Sequence, residues 1–233
     1  VPNTTYRISI YYDDVLQKEE VYQTMPLSFK ERNIKIVMGG DAGVTEAAFR
    51  IGAEAAKHKP DLVVIGGDLA YDNGMNTCYH AWDQFLGIFE NMNRVKGMLI
   101  PLIFTIGNHD VGIESFSPRR ITQDEYGPPF FTYFPQHSAV GKDGQLLEEV
   151  PAVSQRKSYF HHLIGGTLQV SLDSGYIVDY NGSQLEWLKE LNNQYAGLPK
   201  FAYYHVPIYW SFGLWDPTAK GIVKGMQYWV PEF

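Results

Sequence analysis

Leu62-Val63-Val64-Ile65-Gly66-Gly67-Asp68-Leu69-Ala70-Tyr71 sets the reading of the whole chain. Its first four residues are apolar without a polar interruption, which predicts a strand covered on both faces. Two glycines then let the backbone turn sharply and deliver Asp68 at the carboxyl end of that strand. The same device recurs on either side. Upstream, Ile34-Lys35-Ile36-Val37-Met38 closes on Gly39-Gly40-Asp41; downstream, Leu102-Ile103-Phe104-Thr105-Ile106 closes on Gly107-Asn108-His109-Asp110. Between them lie two helical patterns. Ala47, Ala48, Ile51 and Ala55 share one face within 44–57, and Trp82, Phe85, Leu86 and Phe89 share another. Apolar strands separated by amphipathic helices predict an α/β fold with helices covering the sheet.

Farther along, the stretch 111–156 carries Pro118, Pro128, Pro129, Pro135 and Pro151, which predicts loops beside a site. Tyr159–Leu163 and Leu168–Asp173 return to strand character. His161 and His162 are adjacent in the first of these, so they face opposite ways and do not share an ion. Ser183-Gln184-Leu185-Glu186 matches a capping box before a helix bearing Trp187, Leu188 and Leu191. Phe201-Ala202-Tyr203-Tyr204 is a last strand, closed by His205-Val206-Pro207.

The chain has 233 residues, 45% of them apolar, 15% aromatic and 19% charged. A chain of this size and apolar content can bury a substantial core, which excludes general disorder. Nineteen Lys and Arg stand against 26 Asp and Glu, a net charge of −7. That balance argues against a nucleic-acid partner, since phosphate backbones are met with clustered basic residues. No run approaches the roughly 18 apolar residues that cross a bilayer, so no membrane partner is expected. A single cysteine, Cys78, excludes an intrachain disulfide and a thiolate metal cage. Any metal chemistry must use oxygen and imidazole.

Residues 1–26 hold two extended runs, Thr5–Tyr12 and Glu20–Thr24, too few strands for independent stability. They read as the last strands of an N-terminal β domain. Residues 27–33 read as a linker and 34–233 as the main domain. The chain starts at Val1 without an initiator methionine and stops at Phe233 without an obvious terminal element, so it reads as a piece of a longer protein.

Asp41, Asp68 with Tyr71, Asn108 with His109, and His205 each follow an apolar run directly. In α/β sheets the crevice above the carboxyl ends of the strands is where ligands bind. Two carboxylates, a phenol, an amide and an imidazole form a mixed oxygen and nitrogen donor set suited to iron, manganese, zinc or magnesium. An aspartate bridging two ions would hold them about 3.5–4 Å apart, the spacing of two-metal hydrolytic sites.

Gly40-Asp41-Ala42-Gly43, Gly67-Asp68-Leu69-Ala70-Tyr71, Gly107-Asn108-His109-Asp110 and Tyr203-Tyr204-His205 resemble four of the five motifs of calcineurin-like metallophosphoesterases. Gly43, where many relatives carry a histidine, together with Tyr71 resembles the purple acid phosphatase branch. The resemblance implies a sandwich of mixed β-sheets flanked by helices, preceded by the last strands of a fibronectin type III-like β-sandwich. It implies a dinuclear centre, with Asp41 and Tyr71 on Fe(III), Asp68 bridging, and Asn108 and His205 on a divalent Fe, Zn or Mn. A fifth motif, Gly-His-x-His, would lie beyond Phe233 and give one histidine to each ion, so this stretch alone is expected to be inactive. His109 would stabilise phosphoryl oxygens or protonate the leaving group, with Asp110 orienting its ring. Asp110 stands where this branch usually has glutamate, and 211–216 lacks the histidine pair of plant-type relatives.

The implied activity is acid-phosphatase-type hydrolysis of a small phosphomonoester by a metal-activated hydroxide. The alternatives are a phosphodiesterase or nucleotide pyrophosphatase on the same frame, or a non-catalytic binding protein. A homodimer stays open. Asn3-Thr4-Thr5 and Asn181-Gly182-Ser183 are glycosylation sequons, so Asn3 and Asn181 are candidate glycan sites of a secreted or lumenal protein, extracellular, lysosomal or vacuolar. Trp210, Phe212 and Trp215 either rim a substrate cleft or simply pack.

Overall fold

A computed structural model of the chain describes residues 1–75, 78–112, 129–134 and 156–207. The chain opens with an antiparallel hairpin of β1 (Thr5–Tyr12) and β2 (Val15–Gln23), turned at Asp13-Asp14 in left-handed backbone. Tyr6 and Tyr22 stack across it, ring centres 5.5 Å apart, while Ile8, Ile10, Tyr12, Val15 and Leu16 stay exposed. The Leu99 N–H donates to the Val21 carbonyl at 2.7 Å, tying the hairpin to the main body. In 27–33, the Phe29 N–H donates to the Gly165 carbonyl at 2.6 Å, and Arg32 pairs with Asp61 at 3.0 Å.

The main body has two three-stranded sheets among the described residues. β3 (Ile36–Gly39), β4 (Leu62–Gly66) and β5 (Leu102–Thr105) run parallel in that order. β6 (Phe160–Ile164), β7 (Thr167–Ser171) and β8 (Lys200–Tyr203) form the second sheet, with β6 antiparallel and β8 parallel to β7. β4 explains the layering. Leu62 and Val64 cluster with Ile103, Tyr203, Phe160 and Ile164, so this face meets the second sheet. Val63 and Ile65 point the other way, into the core under α1 (Glu46–Lys57) and α2 (His80–Lys96). Both faces are buried, which is why the run carries no polar residue. A short α3 (Pro129–Tyr133) adds Phe130 to the aromatic cluster around Trp82, and α4 (Ser183–Gln194) covers Leu168 and Val170. The α/β architecture of mixed sheets flanked by helices agrees with the sequence.

Two local expectations are corrected. On α1, Ile51 is 69% exposed and Ala47 is exposed; the buried residues are Gly52 and Ala56, with Ala48, Phe49 and Ala55 half-buried beside them. The stripe rotates because α1 approaches α2 across Gly52, where an added Cβ would lie 2.6 Å from Ile88 Cγ2. Gly52→Ala is therefore expected to overpack this contact and destabilise the protein by about 1–3 kcal/mol, read as a lowered denaturation midpoint. At α4, the cap position is Gly182 with no side-chain bond, so Ser183 is a first helical residue and not a capping-box serine. Gln184 instead turns inward, accepting the Asp173 N–H at 2.8 Å and donating to the Asp173 carbonyl at 3.0 Å. Among the described residues no helix is long and apolar enough to cross a membrane.

Candidate metal centre

Parallel pairing of β3, β4 and β5 sets their carboxyl ends side by side, and the loops beyond continue the pairing. Asp41, Ala42 and Gly43 donate their N–H groups to the carbonyls of Gly67, Asp68 and Leu69 at 2.9–3.0 Å. Asp41 and Asp68 thus leave adjacent strands at matching heights, while His205 arrives from the end of β8 in the facing sheet. One ligand atom each from Asp41, Asp68 and His205 lies within 4.8 Å of the others. Asn108 and Tyr71 close the ring: His205 Nε2 stands 3.1 Å from Asn108 Oδ1, and the Tyr71 hydroxyl donates to Asp41 Oδ1 at 3.4 Å. All five candidate ligands named from the sequence converge.

Backbone conformation marks the same place. Eight non-glycine residues among those described have left-handed backbone, and Asp41, Asp68, Tyr71 and Asn73 are four of them. For an aromatic residue such as Tyr71 that region is costly, and such strain gathers where a site dictates side-chain direction.

His205 carries the electrostatic argument. Its Nδ1 lies 2.8 Å from the Gly66 carbonyl, while Nε2 faces Asn108 Oδ1 and, at 3.4 Å, Asp68 Oδ1. With Nδ1–H held by a carbonyl, Nε2 meets only oxygens, so either a proton or a cation must stand between them. Without a cation, a proton at Nε2 is the favoured occupant. Burial alone would lower the imidazole pKa, but the hydrogen bond and charge of Asp68 outweigh it and raise it. Burial likewise works to raise Asp68, and His205 reverses it to a net lowering. The Tyr71 phenol is pushed up by burial and by the Asp68 and Asp41 carboxylates, so it stays protonated until positive charge arrives. Anionic oxygens crowded around an imidazole are a donor set that fits a hard or borderline cation.

His109 and Asp110 play separate parts. The His109 N–H donates to Asp68 Oδ1 at 2.9 Å, and its ring lies against Tyr71 with centres 4.6 Å apart. The expectation that Asp110 orients this ring is corrected. Asp110 is fully buried and accepts the N–H groups of Asp68, Leu69 and Gly107 at 2.8–3.0 Å. Its carboxyl locks the loop carrying Asp68 onto the loop carrying Asn108. Burial pushes its pKa up to about 8, against the pull of the Leu69 and Gly107 N–H groups. The imidazole is held by Asn73, whose Oδ1 stands 2.6 Å from His109 Nδ1. Sequence reading missed Asn73, because Asn73-Gly74 reads only as a turn. It also missed Tyr176, whose buried ring stands 6.1 Å from that of His205.

His161 and His162 do diverge: His161 lies near Trp187 and Tyr195, and His162 near Phe160. Asn3 and Asn181 are exposed. Trp210, Phe212 and Trp215 lie outside the described residues.

Comparison with known proteins gives the family and the fold. The profile of the calcineurin-like phosphoesterase family matches residues 20–227. Purple acid phosphatase 21 of Arabidopsis thaliana is 26% identical over 189 residues, which is 81% of this chain and 36% of that protein. The structure of purple acid phosphatase PPD1 from yellow lupin (Lupinus luteus) seeds superposes with a TM-score of 0.60 at 19% identity, over 91% of this chain and 38% of that one. A structure of PhoD superposes with a TM-score of 0.62 at 14% identity, over 97% of this chain and 53% of that one. The chain therefore spans between about a third and half of these relatives' lengths.

Proposed function

The chain belongs to the calcineurin-like phosphoesterase family, and from that premise we propose that the protein carrying it hydrolyses small phosphomonoesters at a dinuclear metal centre, as an acid phosphatase. The observation that carries the proposal is His205, flanked by oxygens on both ring nitrogens beside the buried Asp68. Asp41 and Tyr71 would hold one ion, Fe(III) in this reading, and Asn108 with His205 a divalent Fe, Zn or Mn, with Asp68 shared. A Gly-His-x-His motif beyond Phe233 would complete both sets. Two cations so held supply Lewis acidity toward a water and the phosphoryl oxygens.

The chain's own groups do the rest. The Gly66 carbonyl aims His205 Nε2 into the site. Asp110 fixes the two loops that carry Asp68 and Asn108. His109 borders the cluster as the group that meets phosphoryl oxygens or gives a proton to the leaving alcohol. A secreted or lumenal location accords with the exposed sequons at Asn3 and Asn181. The direct test is hydrolysis of an aryl phosphate monoester by the full-length protein. Turnover of the monoester well above that of the matching diester supports the reading, and the reverse preference replaces it with a phosphodiesterase.

The Asp68–His205 pair also makes a pH prediction for the metal-free protein. Asp68 is lowered from 3.8, so its contribution is present above that value and is lost as pH falls through the lowered one. His205 is raised from 6.5, so its contribution is complete below 6.5 and is lost as pH rises through the raised value. The stability advantage of wild type over His205→Asn, measured by urea unfolding, is expected to peak between these two reference values and decline on both sides. Loading with Zn²⁺ should release protons as the Nε2 proton is displaced.

A further inference from the structure

We propose that Ser174 is a positioning residue that sets the height at which His205 leaves β8 for the metal centre. The inference rests on the metal-centre reading only for what His205 then holds. Pairing of β7 with β8 ends where the Leu172 N–H donates to the Tyr203 carbonyl at 2.8 Å. Beyond that point side chains occupy the β7 backbone. Gln184 takes both the N–H and the carbonyl of Asp173, and the Ser174 carbonyl accepts the Tyr180 hydroxyl. The departing His205 and Val206 N–H groups donate instead to Ser174 Oγ, each at 3.2 Å. A serine hydroxyl has two acceptor lone pairs, so one oxygen satisfies both.

That oxygen is itself fixed. Ser174 is fully buried. Beside it the buried Asp173 carboxyl accepts the Ser158 hydroxyl at 2.6 Å and the Tyr176, Ile177 and Val178 N–H groups at 2.7–3.3 Å. The turn after β7 is therefore tied to its own carboxyl and gives Ser174 little freedom to follow a shift of His205. The imidazole is held separately, with Nδ1 2.8 Å from the Gly66 carbonyl at the end of β4. Ring and backbone are thus gripped from opposite sheets. With Ser174 Oγ removed, both N–H groups lose their acceptor, and Val206 is 3% exposed, so water does not readily replace it. Relief comes by moving 205–206, which carries Nε2 away from Asn108 Oδ1 and Asp68 Oδ1.

The test has two arms, both on the full-length protein. In metal-free wild type, hydrogen exchange read at single residues is expected to show the His205 and Val206 amide protons as slow as those of the β7–β8 ladder. Exchange as fast as that of an exposed loop overturns the proposal, and this arm needs no variant to fold. In the second arm Zn²⁺ affinity is measured by competition with a chelator. Ser174→Ala is expected to weaken it by about 10- to 100-fold, and Ser174→Thr, which keeps the hydroxyl, should recover most of the loss. Gly52→Ala, which destabilises the α1–α2 contact, is expected to keep wild-type affinity, so a general loss of stability does not mimic the effect. Wild-type affinity in Ser174→Ala, or an equal loss in Gly52→Ala, overturns the proposal. If wild type binds no Zn²⁺, the metal-centre reading fails, while amide exchange still decides whether Ser174 places His205.

Discussion

Replacing Asp68 by asparagine in the full-length protein is expected to lower kcat/KM for an aryl phosphate by about a thousandfold, with the fold intact. Asparagine has the same shape, and its Oδ1 can still accept the His109 N–H that Asp68 takes at 2.9 Å. What disappears is the negative charge at the centre of the cluster, which lies 3.4 Å from His205 Nε2 and is 3% exposed. A neutral amide cannot balance two cations, and burial denies them compensation from solvent. The metal content of the variant should fall with its activity, while circular dichroism stays at the wild-type spectrum. A variant that keeps its metals and its turnover would remove Asp68 from the shared position.

Gly107→Ala is expected to be severely damaging, because its added methyl meets backbone and not the end of a flexible side chain. The backbone at Gly107 is ordinary extended chain (φ −116°, ψ 177°), so strain in φ is not the issue. Space is. An added Cβ would lie 2.2 Å from Asp68 N and 2.3 Å from Asp68 Oδ1. Neither atom can retreat easily, because the Asp68 and Leu69 N–H groups are both held by the buried Asp110 carboxyl. Relief requires parting the ends of β4 and β5, which breaks the three-way lock at Asp110. A loss of at least about 3 kcal/mol is expected, seen as a thermal midpoint lowered by roughly 10 °C, together with loss of metal binding. A variant with wild-type stability would show that the two loops can separate freely.

Much of this was legible in the sequence, for a definite reason. β4 is buried on both faces, so its run Leu62–Ile65 has no polar interruption and announces itself. Asp41, Asp68, Asn108 and His205 are legible because each closely follows its own strand; parallel pairing sets three of those strand ends side by side, and β8 of the facing sheet brings the fourth. What stayed hidden depends on contacts that leave no local pattern. The buried face of α1 turns on Gly52, where the decisive feature is an absent side chain, so apolar spacing pointed to Ile51 instead. The start of α4 is displaced by one residue because Gln184 is drawn inward by Asp173, a partner 11 positions away. Asp110 binds only backbone N–H groups, which no motif records. Asn73 reaches a histidine 36 positions away across a turn whose residues speak only of the turn.

The central claim is that these strand ends, completed by the rest of the protein, hold two metal ions. Elemental analysis of the purified full-length protein tests it most directly. The account predicts two ions per chain, at least one of them iron, with Asp68→Asn and His205→Asn each lowering that number. A full-length protein that binds no metal tightly, or binds it equally well in both variants, would contradict it.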